Sequence, residues 1–483
     1  MVQVTGESET PPEAKPPQLE SASRIVWALA WPAVALNSLQ VVNNLLDRVF
    51  LGKLEDSALT AHGASINVLF LVFSLAVSLG TGATAIVARA FGAGRRRECR
   101  VATREAFRLT VILGLLLAIA TWSFAPAVST WILPADDHRA IELMTQFVRQ
   151  FSFGLPAIFI IQSLAGCLRG VGDTKSPMVI SGVQILTHIC LNFLFIFPSH
   201  RIGSIEIPGA GMGLPGAGRA IALSAWLSAL VYMPYLGRTK LGPVLQLKLP
   251  KIQWSERILK IAVPAAVMST LRVLSLTVFT VALAKADHGS AAIAAMSIGF
   301  AIESIMFMPA FGLSIAAGAL VGQSLGAQDK PRAERLGWCA ANWAALVTLC
   351  LAVPIFAGAD VIAGALVPNK PMIEQSAAEL LRYLCLTEIL FAYAMVLFGA
   401  MQGAGDTKAP LWISLLALWG LRVPLGWLLT LRTGQPLFGT VVMPWGANMG
   451  AQGAWIAMSS TQAVQGVLAI LAFRAGAWKN KKV

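Results

Sequence analysis

Residues 166–178 read GCLRGVGDTKSPM, and residues 399–411 read GAMQGAGDTKAPL. Seven of these thirteen positions are identical, at an offset of 233. Working outward, Pro32 matches Pro264, and Arg89-x-x-Gly92-Ala93 matches Gln323-x-x-Gly326-Ala327. Gly213-x-x-Gly216-Ala217 matches Gly450-x-x-Gly453-Ala454, so four landmarks recur in one order at offsets of 232 to 237. Such recurrence is the mark of a duplicated unit. What lies between the landmarks decides what kind of unit it is.

The intervals are long apolar runs, such as Val111–Ala120, Val179–Phe197, Ala344–Ala357 and Leu411–Leu421. The chain is 56% hydrophobic and 13% charged, against about 25% charged in an ordinary soluble domain. Too few charges are present to cover several soluble surfaces, and lipid is the solvent that removes the difficulty. A helix needs about 20 residues to cross the hydrocarbon core. Backbone in lipid must satisfy itself, so runs of this length are helices, whereas a barrel would alternate over about ten residues.

Spans are expected near 25–52, 62–91, 105–133, 144–169, 177–198, 217–236, 257–284, 290–323, 335–358, 375–401, 410–431 and 450–474. The fold class is therefore all-α integral membrane: twelve transmembrane helices in two six-helix bundles. An even number of spans per half keeps both halves in one orientation, related by a pseudo-twofold axis along the membrane normal. The division expected is a disordered polar tail over 1–22, bundles over 23–236 and 261–474, a linker over 237–260 and a basic tail over 475–483.

The formal charge of +13 lies in the short gaps between spans, with no aromatic-interleaved basic domain, so nucleic acid is not an expected partner. Arg95–Arg97, Arg100, Arg104 and Arg108 follow span two; Arg238, Lys240, Lys248, Lys251, Arg257 and Lys260 follow span six. Lys330, Arg332 and Arg335 follow span eight, and Arg474, Lys479, Lys481 and Lys482 close the chain. The intervening loops carry about one cation each (Lys53, Arg139, Arg201, Lys285, Lys370, Arg432), which puts both termini in the cytoplasm. The cysteines Cys99, Cys167, Cys190, Cys339, Cys350 and Cys385 lack paired spacing and read as small core residues rather than disulfides or metal ligands.

Ionisable groups within spans are costly and are functional candidates by default. Asp47 lies near the outer end of span one. His188 and Asn192, four residues apart and so on one helical face of span five, approach the same depth. Together they can form a polar pocket for a proton; the plainer alternative is that Asp47 pairs with adjacent Arg48. In the second half, Arg272 and Glu303 sit equally far from the loop around Asp287, where they can pair, and Glu388 in span ten has similar depth. Met306, Met308 and Met395 are candidates for an adaptable cavity, although methionine in a membrane helix more often packs. Gly170, Gly172, Asp173, Gly403, Gly405 and Asp406 read as structural: glycines for a tight turn, Asp and Thr to cap the next helix, Pro in its first turn.

The twin Gly-x-x-x-Gly-x-Gly-Asp-Thr-Lys-x-Pro motifs resemble the duplicated signature of the multidrug and toxic compound extrusion (MATE) family. Pro32 followed by Asp47 in LLDRVFLG, and LVGQSLGA over 320–327, strengthen the likeness across about residues 25–474. The resemblance implies a secondary antiporter of amphiphilic or cationic organic compounds, with a proton, or alternatively sodium, as transported ion, no cofactor, no catalytic residue and no metal. The chain looks most like the branch typified by DNA-damage-inducible protein F, in which a first-span Asp and fifth-span Asn/Asp partners form a proton pocket. His188 and Asn192 depart from that set and leave Asp47 the only acid. The sodium-type branch carries a Glu where Arg272 stands and an Asp where Phe391 stands, and these absences favour protons. Expected partners are small organic molecules and membrane lipid, with the protein acting as a monomer in the cell membrane. A lipid-linked oligosaccharide flippase of the same superfamily is the alternative, with Arg272 and Arg422 as the only mid-membrane cations to hold a pyrophosphate. A lipid-modifying membrane enzyme is less favoured, since the histidines are scattered without metal-ligand spacing and neither Gly-x-Ser-x-Gly nor a phosphate loop is present.

Overall fold

A computed structural model describes residues 22–202, 205–245, 249–438 and 441–481. The expected tail over 1–22 falls, except for Ala22, outside the described residues, as do Lys248 and Lys482. The first half comprises α1 (Ala22–Leu51), α2 (Asp56–Gly92), α3 (Arg96–Ile132), α4 (His138–Ser152), α5 (Leu155–Gly170), α6 (Lys175–Ile196) and α7 (Leu214–Gly237). The second comprises α8 (Ile252–Lys285), α9 (Gly289–Gly326), α10 (Lys330–Ala357), the short α11 (Ala359–Leu366) and α12 (Pro371–Gly403). It continues through α13 (Lys408–Leu415), a π-helical segment (Leu416–Arg422), α14 (Val423–Thr430) and α15 (Gly450–Ala475). Eleven of these segments, counting Lys408–Thr430 as one, are long and apolar enough to cross a membrane, and α4 with α5 supplies a twelfth.

The architecture is the expected all-α membrane protein, with local departures. The fourth span is not one helix but two, bent by 48° between Ser152 and Leu155. Gly154 sits at the break, where a Cβ would meet Ala222 Cα of α7 at 2.7 Å; Pro156 then opens the first turn of α5, a position that needs no backbone donor. The loops after α6 and α14 form small antiparallel hairpins, β1 (Pro198–Ile202) with β2 (Ile205–Ala210) and β3 (Pro436–Phe438) with β4 (Val441–Val442). Helix α8 begins at Ile252, inside the segment 237–260 read as linker.

The twin motifs explain how each half packs. Gly166 on α5 lies against the backbone of Gly80 on α2, and Thr84 Oγ1 donates to Gly166 O at 2.9 Å. In the second half Gly399 and Gly403 on α12 lie against Ser314 and Gly318 on α9, and Ser314 Oγ donates to Met395 O at 2.9 Å. Small residues four apart let the helix backbones approach closely, which is how helices associate where lipid removes the hydrophobic driving force.

The halves also exchange helices. Val26 and Ala30 at the start of α1 are buried in the core cluster of the second half. Ile258, Ile261 and Ala262 at the start of α8 are buried in that of the first. Further tight cross-half approaches place Gly82 against Ile258 O and Gly312 against Val34. All of these lie toward the face that carries the start of α1 and the end of α15. The basic tail is also docked there: Gly476 adopts φ 75° and leads into a 3-10 turn, Ala477–Asn480. Trp478 is fully buried, stacked on Phe473 at 4.6 Å between centroids, with its Nε1 donating to Phe473 O at 2.8 Å. Lys479 pairs with Glu334 at 2.7 Å and Lys481 with Asp406 at 3.6 Å.

Candidate functional site

Asp47 lies one turn before the end of α1, and α6 packs beside it. Spacing of four residues turns His188 and Asn192 of α6 toward the same side, and the structure brings all three together. Asn192 Nδ2 donates to Asp47 Oδ1 at 2.7 Å. His188 Nδ1 stands 3.9 Å from the same oxygen. A fourth member, Asn43, completes the group: its Nδ2 donates to Asp47 Oδ2 at 3.3 Å and its Oδ1 faces His188 Nδ1 at 3.1 Å. The signal for Asn43 was present, since it precedes Asp47 by one helical turn in an apolar helix. Among the described residues, no ion pair joins Arg48 to Asp47.

Asn43, His188 and Asn192 are buried, whereas the Asp47 side chain keeps 23% of its surface exposed. Two polar atoms at the pocket, His188 Nε2 and Asn192 Oδ1, are buried without a hydrogen-bond partner. An unused acceptor beside a carboxylate has chemical meaning. A carboxylate only accepts, but a carboxylic acid also donates. The amide of Asn192 can present its donor to the first and its acceptor to the second.

The second half holds its charges elsewhere. Glu303 on α9 accepts from Gln462 Nε2 of α15 at 2.9 Å, and Gln462 Oε1 accepts from Thr387 of α12 at 3.1 Å. Arg422, at the end of the π segment, donates through Nε to Thr461 Oγ1 at 3.0 Å. Glu388 on α12 is buried, and its Oε2 has no partner. The expected direct pairing of Arg272 with Glu303 does not form: Gln462 occupies Glu303, and no ion pair joins Glu303 to Arg272 among the described residues. Glu303 nevertheless lies within electrostatic reach of Arg272 and Arg422, and Glu388 within reach of Glu303. A π turn is frequent at functional sites and leaves no hydropathy signature by which to foresee it.

The methionines divide. Met306 has no exposed surface and packs against Ala352 and Cys385, so it is core rather than cavity lining. Met308 is half-buried, and Met395 is buried with its carbonyl engaged by Ser314. Phe307 on α9 stacks with Phe311 at 5.9 Å and with Phe391 at 6.1 Å between centroids.

At the twin motifs, Gly172 and Gly405 adopt φ of 87° and 85°, a left-handed conformation that glycine takes without steric cost. Asp173 Oδ1 accepts from Ser176 N at 3.0 Å, capping α6, and Asp406 Oδ1 faces Ala409 N at 3.5 Å at the start of α13. The threonines expected to share that role make no cap bond. Asp173 is further held by Ser176 Oγ and Tyr235 OH, whereas Asp406 is held by Lys481 of the tail. Gly170 and Gly403 end α5 and α12 where those helices meet α2 and α9.

Comparison with known proteins gives a match to the MatE family over residues 32–194 and 264–428. The chain is similar to the probable multidrug resistance protein NorM of Thermotoga maritima, 27% identical over 459 residues, covering 94% of this chain and 93% of that protein. It is similar also to the multidrug resistance protein MdtK of Yersinia pseudotuberculosis, 26% identical over 470 residues, covering 95% of this chain and 96% of that one. Among solved structures, an outward-facing multidrug resistance MATE family transporter superposes with a TM-score of 0.81 at 20% identity, covering 95% of this chain and 97% of that one. A MOP superfamily transporter from Pyrococcus furiosus, described as having a binding pocket of reversed polarity, gives 0.83 at 20% identity with the same coverage. At that identity the two structures establish a shared fold.

Proposed function

The chain belongs to the MatE family, and from that premise we propose that it exports organic small molecules in exchange for protons carried by Asp47. It is a multi-pass membrane transporter and not an enzyme. The observation that carries the proton reading is the Asp47–Asn192 hydrogen bond at 2.7 Å, backed by Asn43 and His188. It supplies one carboxylate, in an apolar helix, with polar partners able to serve either protonation state. The two half-bundles rock about a fixed site. In the outward-open form a proton on Asp47 removes the negative charge that holds a cationic substrate, and substrate leaves. Facing inward, the proton is given up as the next substrate enters. The membrane potential adds about 2.3 kcal/mol per net charge per 100 mV.

The relatives' names, multidrug resistance proteins in both cases, support amphiphilic and cationic compounds as the substrate class. The part-exposed Phe307 and Phe311, stacked on each other with buried Phe391 behind Phe307, offer flat apolar surface to such molecules. The face carrying the start of α1 and the end of α15 is assigned to the cytoplasm because the cationic connections Arg95–Arg97, Arg238–Lys240 and Lys330–Arg335 lie on it. A monomer suffices, since duplication supplies both halves. The flippase reading finds less support: Arg422 is engaged by Thr461, and Glu303 is the acidic neighbour of both Arg422 and Arg272, so neither arginine is held ready for a pyrophosphate alone.

The test is proton release from purified protein on adding a fluorescent organic cation, for wild type and Asp47→Asn, with and without sodium. Release that needs Asp47 and ignores sodium is expected. Release that persists in Asp47→Asn, or that requires sodium, overturns the proton reading.

A further inference from the structure

Two side chains cross the seam between the halves at the face assigned to the cytoplasm, and they occupy equivalent positions of the repeat. Arg89, near the end of α2, donates from Nη2 to Ala404 O, within the second copy of the twin motif, at 2.7 Å. Gln323, its counterpart near the end of α9, donates from Nε2 to Gly170 O, within the first copy, at 2.9 Å. Each half therefore reaches into the turn of the other. Around them the backbones touch: Gly92 lies against Gln323 O and Gly326 against Arg89 O, with no room for a Cβ at either glycine. The carbonyls that receive the two side chains lie at the C-terminal ends of α5 and α12, where helix geometry leaves them without intrahelical partners.

We propose that Arg89 and Gln323 form a reciprocal latch that holds the cytoplasmic face shut, and that inward opening requires both to let go. This rests on the transporter reading and on the assignment of that face. The physical argument is one of satisfaction. Neither bond belongs to the fold of one half, so neither is needed to build a bundle, and both are lost when the bundles part. The freed carbonyls then meet water, which keeps the cost of opening low enough for the step to reverse. The two sides differ in strength: a guanidinium makes a charge-assisted hydrogen bond, while an amide makes a neutral one about half as strong. The receptors differ too. Asp173 of the first turn is pinned by Ser176 and Tyr235 of its own half, and Asp406 of the second is pinned by Lys481 of the tail. The Arg89 side is the stronger latch, and the docked tail keeps its receptor in place.

Hydrogen–deuterium exchange of the full chain in lipid nanodiscs, read by mass spectrometry over segments 168–174 and 401–407, tests this, since amide exchange follows local opening. Arg89→Ala is expected to raise exchange in both segments several-fold, Gln323→Ala to raise it less, and Arg89→Lys, which keeps a cationic donor, to stay near wild type. Should Arg89→Ala yield no folded protein, Gln323→Ala decides. Wild-type exchange in folded Arg89→Ala and Gln323→Ala overturns the latch. So does exchange that rises along all of α2 and α9 without rescue by lysine, because that marks support of the fold rather than of the seam. The readout needs no substrate, so a failure of the drug-export reading leaves it intact.

Discussion

The two halves share a scaffold and divide its chemistry. At the offset relating Pro32 to Pro264, Asp47 corresponds to Phe279. Counting the one extra residue that the π segment accommodates, Asn192 corresponds to Gly426. Where the first half has a carboxylate bonded to an amide at 2.7 Å, the second has an aromatic ring filling the space of a missing side chain. A Cβ on Gly426 would meet the Phe279 ring at 2.7 Å. The reverse holds deeper in the bundles. Glu303, Glu388 and Gln462 correspond to Leu69, Leu155 and Ala225 of the first half, all apolar. At these five positions each half is apolar where the other is polar, while Arg272 and Asn43 have polar counterparts, Gln40 and Ser275. The cost of an ionisable group in lipid gives the physical reason: a polar pocket is retained only where something uses it.

The contrast is open to direct attack. Replacing Asp47 by Asn is the largest blow, expected to reduce coupled transport in proteoliposomes to the background of empty vesicles while the folded protein still elutes as one species. Transport retained in that variant would mean that the first half is not the coupling half. Phe279→Ala, which empties the sealed position, is expected to cost about 3–5 kcal/mol of stability, seen as a marked fall in melting temperature. An unchanged melting point would show the plug to be passive filler.

Asn192→Ala removes the shortest hydrogen bond to Asp47; a bond to a charged group contributes about 1.5–3 kcal/mol. The turnover of exchange is expected to fall without vanishing, and activity equal to wild type would remove Asn192 from the pocket. The smallest effect belongs to Glu303→Gln. It keeps a partner for Gln462 while exchanging a charge-assisted bond for a neutral one, a change of about 1 kcal/mol, and substrate-triggered proton release should persist in full. Loss of release there would move the coupling site to the second half.

Much of this was legible in the sequence, for reasons that also mark the limits. Span number and the repeat follow from run length and identity, quantities that lipid makes decisive. Asp47, His188 and Asn192 were foreseeable because helical spacing fixes which residues share a side. The same spacing points to Asn43, one turn before Asp47 on α1. Hydropathy runs straight through the break at Gly154, and the signal for it lies instead in the pair Gly154 and Pro156. Arg272 and Glu303 were matched by depth alone, and depth cannot say that Gln462 from α15 reaches the carboxylate first. The seam contacts of Arg89 and Gln323 were invisible for a related cause: their partners are backbone carbonyls, which every residue carries.

The docked tail has a bearing on handling the protein. Lys481 rests on Asp406, and Trp478 is buried a few residues before it, so an affinity tag or fluorescent fusion joined just beyond Lys481 begins at the seam rather than in free solvent. Such a fusion can report faithfully on expression and still alter turnover, whereas a label on the hairpin between α14 and α15 sits at the opposite face and leaves that end undisturbed.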